Sequence, residues 1–136
     1  MAAPNSAGYS GRPLFQNLGF KPGMRVGVVA PPAHYTELLS GMEGVDLGAG
    51  GDDLDAMHLF FHKQEDVEAA AVAAIARLRA GGMLWVSWPK KASSLFCGLT
   101  EDGMRAGILP LGWVDVKVCA VDADWSGLKF LKRRRK

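Results

Sequence analysis

Leu78-Arg79-Ala80-Gly81-Gly82-Met83-Leu84-Trp85-Val86-Ser87-Trp88 contains the change of period that decides the fold. Upstream of it Val67, Ala71, Ala74, Ile75 and Leu78 recur at helical spacing. Glu65, Asp66 and Glu68 stand near the start of that stretch and Arg77 and Arg79 near its end, as a helix dipole favours. The pattern predicts a helix from Gln64 to Ala80, ended by Gly81-Gly82. Met83 to Trp88 is then almost continuously apolar and stops at Pro89, the composition of a strand buried on both faces. A helix that feeds a buried strand is half of a strand–helix–strand unit of a parallel sheet.

Working outward, Asp55 to Phe61 reads as the preceding strand and Gly48 to Asp53, with three glycines and two acids, as a flexible connection. Val45 to Leu47 is a brief strand, and Met24 to Ala30 a first, centrally buried one that Pro31-Pro32 terminates. Between them Thr36 is placed to cap a short helix from Glu37 to about Met42. Downstream, Thr100 caps another helix, with Met104, Ile108 and Leu109 as its buried face. Trp113 to Val121 and Ser126 to Lys132 form a hairpin around Asp122–Trp125, with Lys129 and Lys132 discouraging further pairing at the edge. The order implies a single-domain α/β fold: a doubly wound, mostly parallel sheet of about six strands with a C-terminal antiparallel hairpin. Crossovers of the needed length are expected between its parallel strands. The domain is expected over residues 13–131, after a flexible leader at 1–12 and before a basic tail at 132–136.

At 136 residues the chain is long enough to bury a core without disulfides or metal. Cys97 and Cys119 lie far apart and form no zinc-type pair, which favours reduced thiols and a cytoplasmic setting. No signal peptide is expected in the Ala-, Pro- and Ser-rich opening, and no stretch reaches the ~18 apolar residues of a membrane span. The net charge of +2 hides an asymmetry: five of the 16 basic residues are Lys132, Arg133, Arg134, Arg135 and Lys136, so the body is mildly acidic. That tail could attract nucleic acid or an acidic partner.

Lys21-Pro22-Gly23-Met24-Arg25-Val26, Asp55-Ala56-Met57-His58-Leu59-Phe60 and the stretch from Leu78 to Val86 resemble strands and turns of the S-adenosylmethionine-dependent methyltransferase fold, here in truncated form. Trp88-Pro89-Lys90-Lys91-Ala92-Ser93, the run from Val114 to Asp122 and Asp124-Trp125-Ser126-Gly127-Leu128 resemble a small bacterial family of unknown function. The methyltransferase resemblance implies a Gly-rich turn after the first strand and an acid at the end of the second, which hold the cofactor. In their places stand Ala30-Pro31-Pro32-Ala33-His34-Tyr35, with no glycine and Glu37 just beyond, and Asp46, inside its strand. No cofactor is therefore expected.

No residues form a catalytic or metal signature; His58 lies within a strand and His62 just beyond it, without a metal partner. Lys90 and Lys91 follow a central strand at the carboxyl edge, where open α/β sheets bind ligands. With Trp88 as a wall, Ser93 and Ser94 as donors, and His34 and Tyr35 on the same edge, they are the candidate site for an anionic small molecule or partner. Asp115 and Lys117, two apart, suggest a structural ion pair, and Cys119 a buried, inert thiol. The reading favours a non-catalytic or regulatory binding domain. Its alternatives are a degenerate methyltransferase-like enzyme and a nucleic-acid accessory protein acting through the tail.

Overall fold

The computed structural model describes residues 12–134, so the leader before Arg12 and the tail residues Arg135 and Lys136 lie outside the described range. A helix α1 (Leu14–Leu18) precedes β1 (Arg25–Val29), α2 (Tyr35–Leu38), β2 (Asp46–Leu47) and β3 (Leu54–Phe60). A 3-10 turn leads into α3 (Val67–Ile75), followed by β4 (Leu78–Pro89), α4 (Glu101–Ile108), β5 (Trp113–Ala120) and β6 (Trp125–Lys132). The six strands form one sheet in the order β2-β1-β3-β4-β6-β5; β2, β1, β3 and β4 are parallel and the β5–β6 hairpin is antiparallel.

Two apolar clusters fill the faces of the sheet. One gathers Met57, Leu59, Leu84, Val86, Leu128 and Phe130 beneath α3 and α4. The other joins Val26, Ala56, Phe60 and Trp85 to Leu14 and Leu18 of α1 and to Tyr35 of α2. Burial on both faces explains the continuous apolar runs of β3 and β4. Gly27 interrupts the run of β1 because a Cβ there would sit 2.4 Å from the Met57 sulfur and 2.9 Å from Leu54 Cδ1.

The helix expected to reach Ala80 ends at Ile75. The chain turns into β4 five residues early because Leu78 already pairs with Leu54, and the Leu54 N–H donates to the Arg77 carbonyl at 2.9 Å. Arg79 is recruited by Asp55, whose carboxylate also accepts from the Arg25 N–H at 2.8 Å. The Arg25 N–H and the Arg79 guanidinium hold the Asp55 carboxyl below the usual carboxylate range. The register shift that follows, with Gly81 at φ 82, absorbs the irregularity. Around β1 the helix expected from Glu37 to Met42 is a single turn over Tyr35–Leu38, and the N-cap position is taken by His34, not Thr36, with no side-chain cap bond.

The connection from β2 to β3 is the loop expected at Gly48 to Asp53: without a helix, its six residues carry the chain past β1. Two arginines fasten this loop. Arg25 donates to the carbonyls of Gly50 and Asp52, and Arg77 to those of Ala49 and Gly51, all within 3.1 Å. A Gly-rich segment without helical bonds thus has its carbonyls satisfied by guanidinium groups.

The hairpin brings two further corrections. β6 lies inside the sheet and β5 is the edge, so Lys129 guards no edge. Asp115 and Lys117 do not pair, because the bulge between them turns them to opposite faces. Asp115 instead accepts from Arg105 Nε at 2.9 Å, and Lys117 donates to the Asn17 carbonyl at 2.7 Å. Thr100 caps α4 as expected, its hydroxyl accepting from the Gly103 N–H at 3.0 Å. Thr100→Ala is expected to cost about 1 kcal/mol in urea unfolding.

Candidate functional site

α2, after β1, packs with the Val26 and Phe60 cluster, whereas α3, after β3, packs with the Met57 and Leu59 cluster. The chain therefore leaves β1 and β3 toward opposite faces, and the crevice beyond their carboxyl ends is the switch point where such sheets bind ligands. A cleft of about 510 Å³ lies there. Val29, Ala30, Phe60 and Phe61 form its apolar wall, Ala69 and Ala70 of α3 its side, and His62, Lys63 and Asp66 its polar groups. Val29, 41% exposed, is left bare because α3 covers β3 and β4 rather than β1. A second depression of about 400 Å³ opens on the other side of β1, between Pro31-Pro32 and Leu47-Gly48.

The residues singled out from the sequence are scattered relative to these clefts. Trp88 is buried in the core under α4. Lys90 and Lys91 line neither cleft; the Lys90 N–H donates to the Asp124 carbonyl at 2.7 Å and fixes the hairpin tip to the end of β4. Ser93 is committed as well, its hydroxyl donating to Asp124 at 2.8 Å and accepting from the Leu95 N–H, while Ser94 and Lys91 are exposed. His34 Nε2 lies 2.8 Å from the nearly buried Asp122 carboxylate, which also accepts from the N–H groups of Asp124 and Trp125. The indole N–H of Trp125 is buried without a partner among the described residues. Its ring stands edge-on to Phe60 and His62.

Tyr35 borders the second depression but turns its hydroxyl inward, 2.8 Å from His58 Nδ1. His58 Nε2 lies 2.7 Å from the Ser87 hydroxyl. All three side chains are buried, His58 and Ser87 on the central strands β3 and β4 and Tyr35 on α2 above them. Burial pushes the His58 imidazole down to about 3 and the Tyr35 phenol well above its usual range. The neutral ring is satisfied because each nitrogen faces a hydroxyl that can donate or accept as required. With no exposed nucleophile, this row is a core device rather than a catalytic triad. Burial likewise pushes the Cys119 thiol up to about 11, which makes it a poor nucleophile.

The residues that shape the main cleft, Phe60 to Lys63, were not among the sequence candidates. Their signal was present: an aromatic pair and two polar groups where a buried strand ends. Only the strand order, which sets β3 beside β1, gives that ending its importance. Among the described residues no group of three or more His, Cys, Asp or Glu could hold a metal ion, and no helix is long and apolar enough to cross a membrane.

The residues at the clefts do not fit S-adenosylmethionine. Ala30 takes a left-handed conformation, φ 57, and directly precedes two prolines that have no N–H to offer a carboxylate. The Tyr35 N–H is already given to the Pro32 carbonyl at 3.0 Å. At β2 the sole carboxylate, Asp46, opens the strand and faces Arg25 at 4.0 Å, whereas Leu47 and Gly48 border the depression. Neither the amino-acid end nor the ribose of that cofactor meets its usual kind of partner.

Neither the family models nor the curated proteins include a match to this chain. Solved structures do match. An Aquifex aeolicus SAM-dependent methyltransferase superposes with a TM-score of 0.57 over 87% of both chains at 15% identity. The N-methyltransferase NodS from Bradyrhizobium japonicum gives 0.55 over 89% of this chain and 93% of its own, at 11% identity. The Burkholderia thailandensis 1,6-didemethyltoxoflavin-N1-methyltransferase gives 0.53 over 89% and 75%, at 15% identity. At these identities the likeness is one of architecture, and it establishes that the chain has a methyltransferase-like α/β fold.

Proposed function

We propose that this chain is a non-catalytic or regulatory binding domain that keeps the methyltransferase frame and holds an anionic small molecule at the carboxyl edge of the sheet. The carrying observation is the switch-point cleft, whose β1 end runs into two prolines without an N–H while its β3 end offers His62 and Lys63. An apolar body would lie on Phe60, Phe61 and Val29, and an anionic group would face Lys63 and His62. Lys90 and Lys91, the site suggested by sequence, follow β4, where the Lys90 N–H is bonded to the hairpin tip.

Chemical-shift mapping with adenosine monophosphate as the probe tests this reading. Shifts are expected at Phe61, His62 and Lys63, and Lys63→Ala is expected to weaken binding about tenfold, the loss of one charge-assisted contact. Shifts confined to Lys90 and Lys91 would return the site to that loop. Saturable binding of S-adenosylmethionine together with methyl transfer to any acceptor would replace the proposal with the enzyme reading.

A further inference from the structure

Lys117 and Lys129 stand directly opposite each other on β5 and β6. Like charges in that position are destabilising, and a sheet normally avoids them. Two more lysines join them. The charge of Lys21, in the turn before β1, reaches Lys129, and burial together with Lys117 and Lys21 holds the Lys129 ammonium below the usual lysine range. Lys90 follows β4, where Pro89 pairs with Trp125, and its N–H donates to the Asp124 carbonyl at the hairpin tip. Its charge, like that of Lys117, acts on the Cys119 thiol. Among the described residues none of these four lysines has a carboxylate within ion-pair distance. Among the described residues the Lys117 ammonium donates to the neutral Asn17 carbonyl. The acids near β5 are engaged: on the opposite face Arg105 binds Glu101, Asp102 and Asp115, and at the hairpin tip Asp122 faces His34 and Asp124 accepts from the Ser93 hydroxyl.

We propose that this face of the hairpin binds the phosphate backbone of a nucleic acid, with Lys21, Lys90, Lys117 and Lys129 as its contacts. A protein partner would require a desolvated apolar or aromatic centre. Among the described residues of the hairpin no aromatic side chain is exposed beside these lysines; the exposed Val118 pairs with Leu128 and so turns to the other side, and the exposed Val116 stands alone in the bulge. A row of ammonium groups without an apolar anchor is the equipment of sequence-independent phosphate binding. A polyanion would relieve the repulsion between the opposed lysines. None of these four lysines lines the small-molecule cleft, so the two surfaces are tested independently.

The experiment is fluorescence anisotropy of the full chain with a labelled single-stranded RNA and with duplex DNA, across ~50 to ~200 mM salt. Four contacts to a single strand predict about a 50-fold loss of affinity over that range, and the double variant Lys117→Gln/Lys129→Gln only about a sevenfold loss. That variant should melt no lower than the original chain, since it removes a repulsion. If it fails to fold, Lys21→Gln/Lys90→Gln, outside the hairpin strands, should halve the salt slope in the same way. Preference for RNA over duplex would identify a single strand as the source of the phosphates, and equal binding a general backbone contact. Four results would each overturn the proposal. They are no binding at ~50 mM salt, an unchanged slope in the folded variant, complete loss when only Arg133 to Lys136 are neutralised, and equal competition by a polyglutamate peptide.

Discussion

Lowering the pH from 7 to 4 is expected to destabilise the protein by about 3 kcal/mol, most of it through His58. The imidazole has an ordinary value near 6.5 in the unfolded chain and about 3 in the folded one, where burial disfavours its charge. Between those values the unfolded state binds a proton that the folded state refuses, so stability falls by about 1.4 kcal/mol for each pH unit. A depressed folded value gives stability that is complete above 6.5 and is lost as the pH falls toward 3. The carboxylates of Asp55 and Asp115, which their arginine partners hold low, lose their contributions only below the ordinary aspartate range. The window from 6.5 to 4 therefore isolates the histidine. Urea unfolding at pH 7, 5.5 and 4 gives the slope. His58→Gln, which fills the site with a side chain that does not titrate, should be less stable at pH 7 and nearly flat across the window. A slope in His58→Gln equal to that of the original protein would assign the acid sensitivity elsewhere.

Trp85→Ala is expected to cost about 3–5 kcal/mol, a large fraction of the ~5–15 kcal/mol that holds a domain of this kind together. The indole is fully buried, and its N–H donates to the Leu18 carbonyl at 2.8 Å. It is the polar link between the middle of the sheet and the end of α1. Its ring also fills the space above Gly127, where a Cβ would stand 3.4 Å from it. Truncation leaves a cavity and an acceptor without its donor, two penalties that add. The measurement is the urea midpoint followed by circular dichroism, since four tryptophans make fluorescence ambiguous. Trp85→Phe separates the two effects, because it keeps most of the volume and loses only the hydrogen bond. A cost below about 1 kcal/mol for Trp85→Ala would mean that α1 adds little to the core.

These two side chains mark how far the amino-acid order could be read. Trp85 was legible as core because it sits in a continuous apolar run. The row formed by Tyr35, His58 and Ser87 was not, since its members come from three elements and nothing local places a hydroxyl beside an imidazole. The end of α3 was misjudged for a related reason. Leu78, Arg79 and Ala80 suit a helix by propensity, but Leu54 and Asp55 offer Leu78 a sheet partner and Arg79 a carboxylate. Lys129 looked like an edge residue because chain order set it last. The register instead places β6 between β4 and β5.

The candidate site shows the same division. Lys90, Lys91, Ser93 and His34 were chosen because they follow strands at the carboxyl edge, and they do lie near it. Side-chain direction and local bonding then commit Ser93 to Asp124, place His34 against Asp122, and leave Lys90 to secure the hairpin tip through its backbone.

The sequence by itself determined the α/β class, the hairpin at the end, and the stiff, donor-poor turn from Ala30 to Pro32, because period and proline content act through near neighbours. Only the tertiary structure decided that β1 and β3 adjoin, that Phe60 to Lys63 border the cleft, and that Lys117 faces Lys129. Strand order and register are fixed by the packing of both faces at once, and no single segment carries that information.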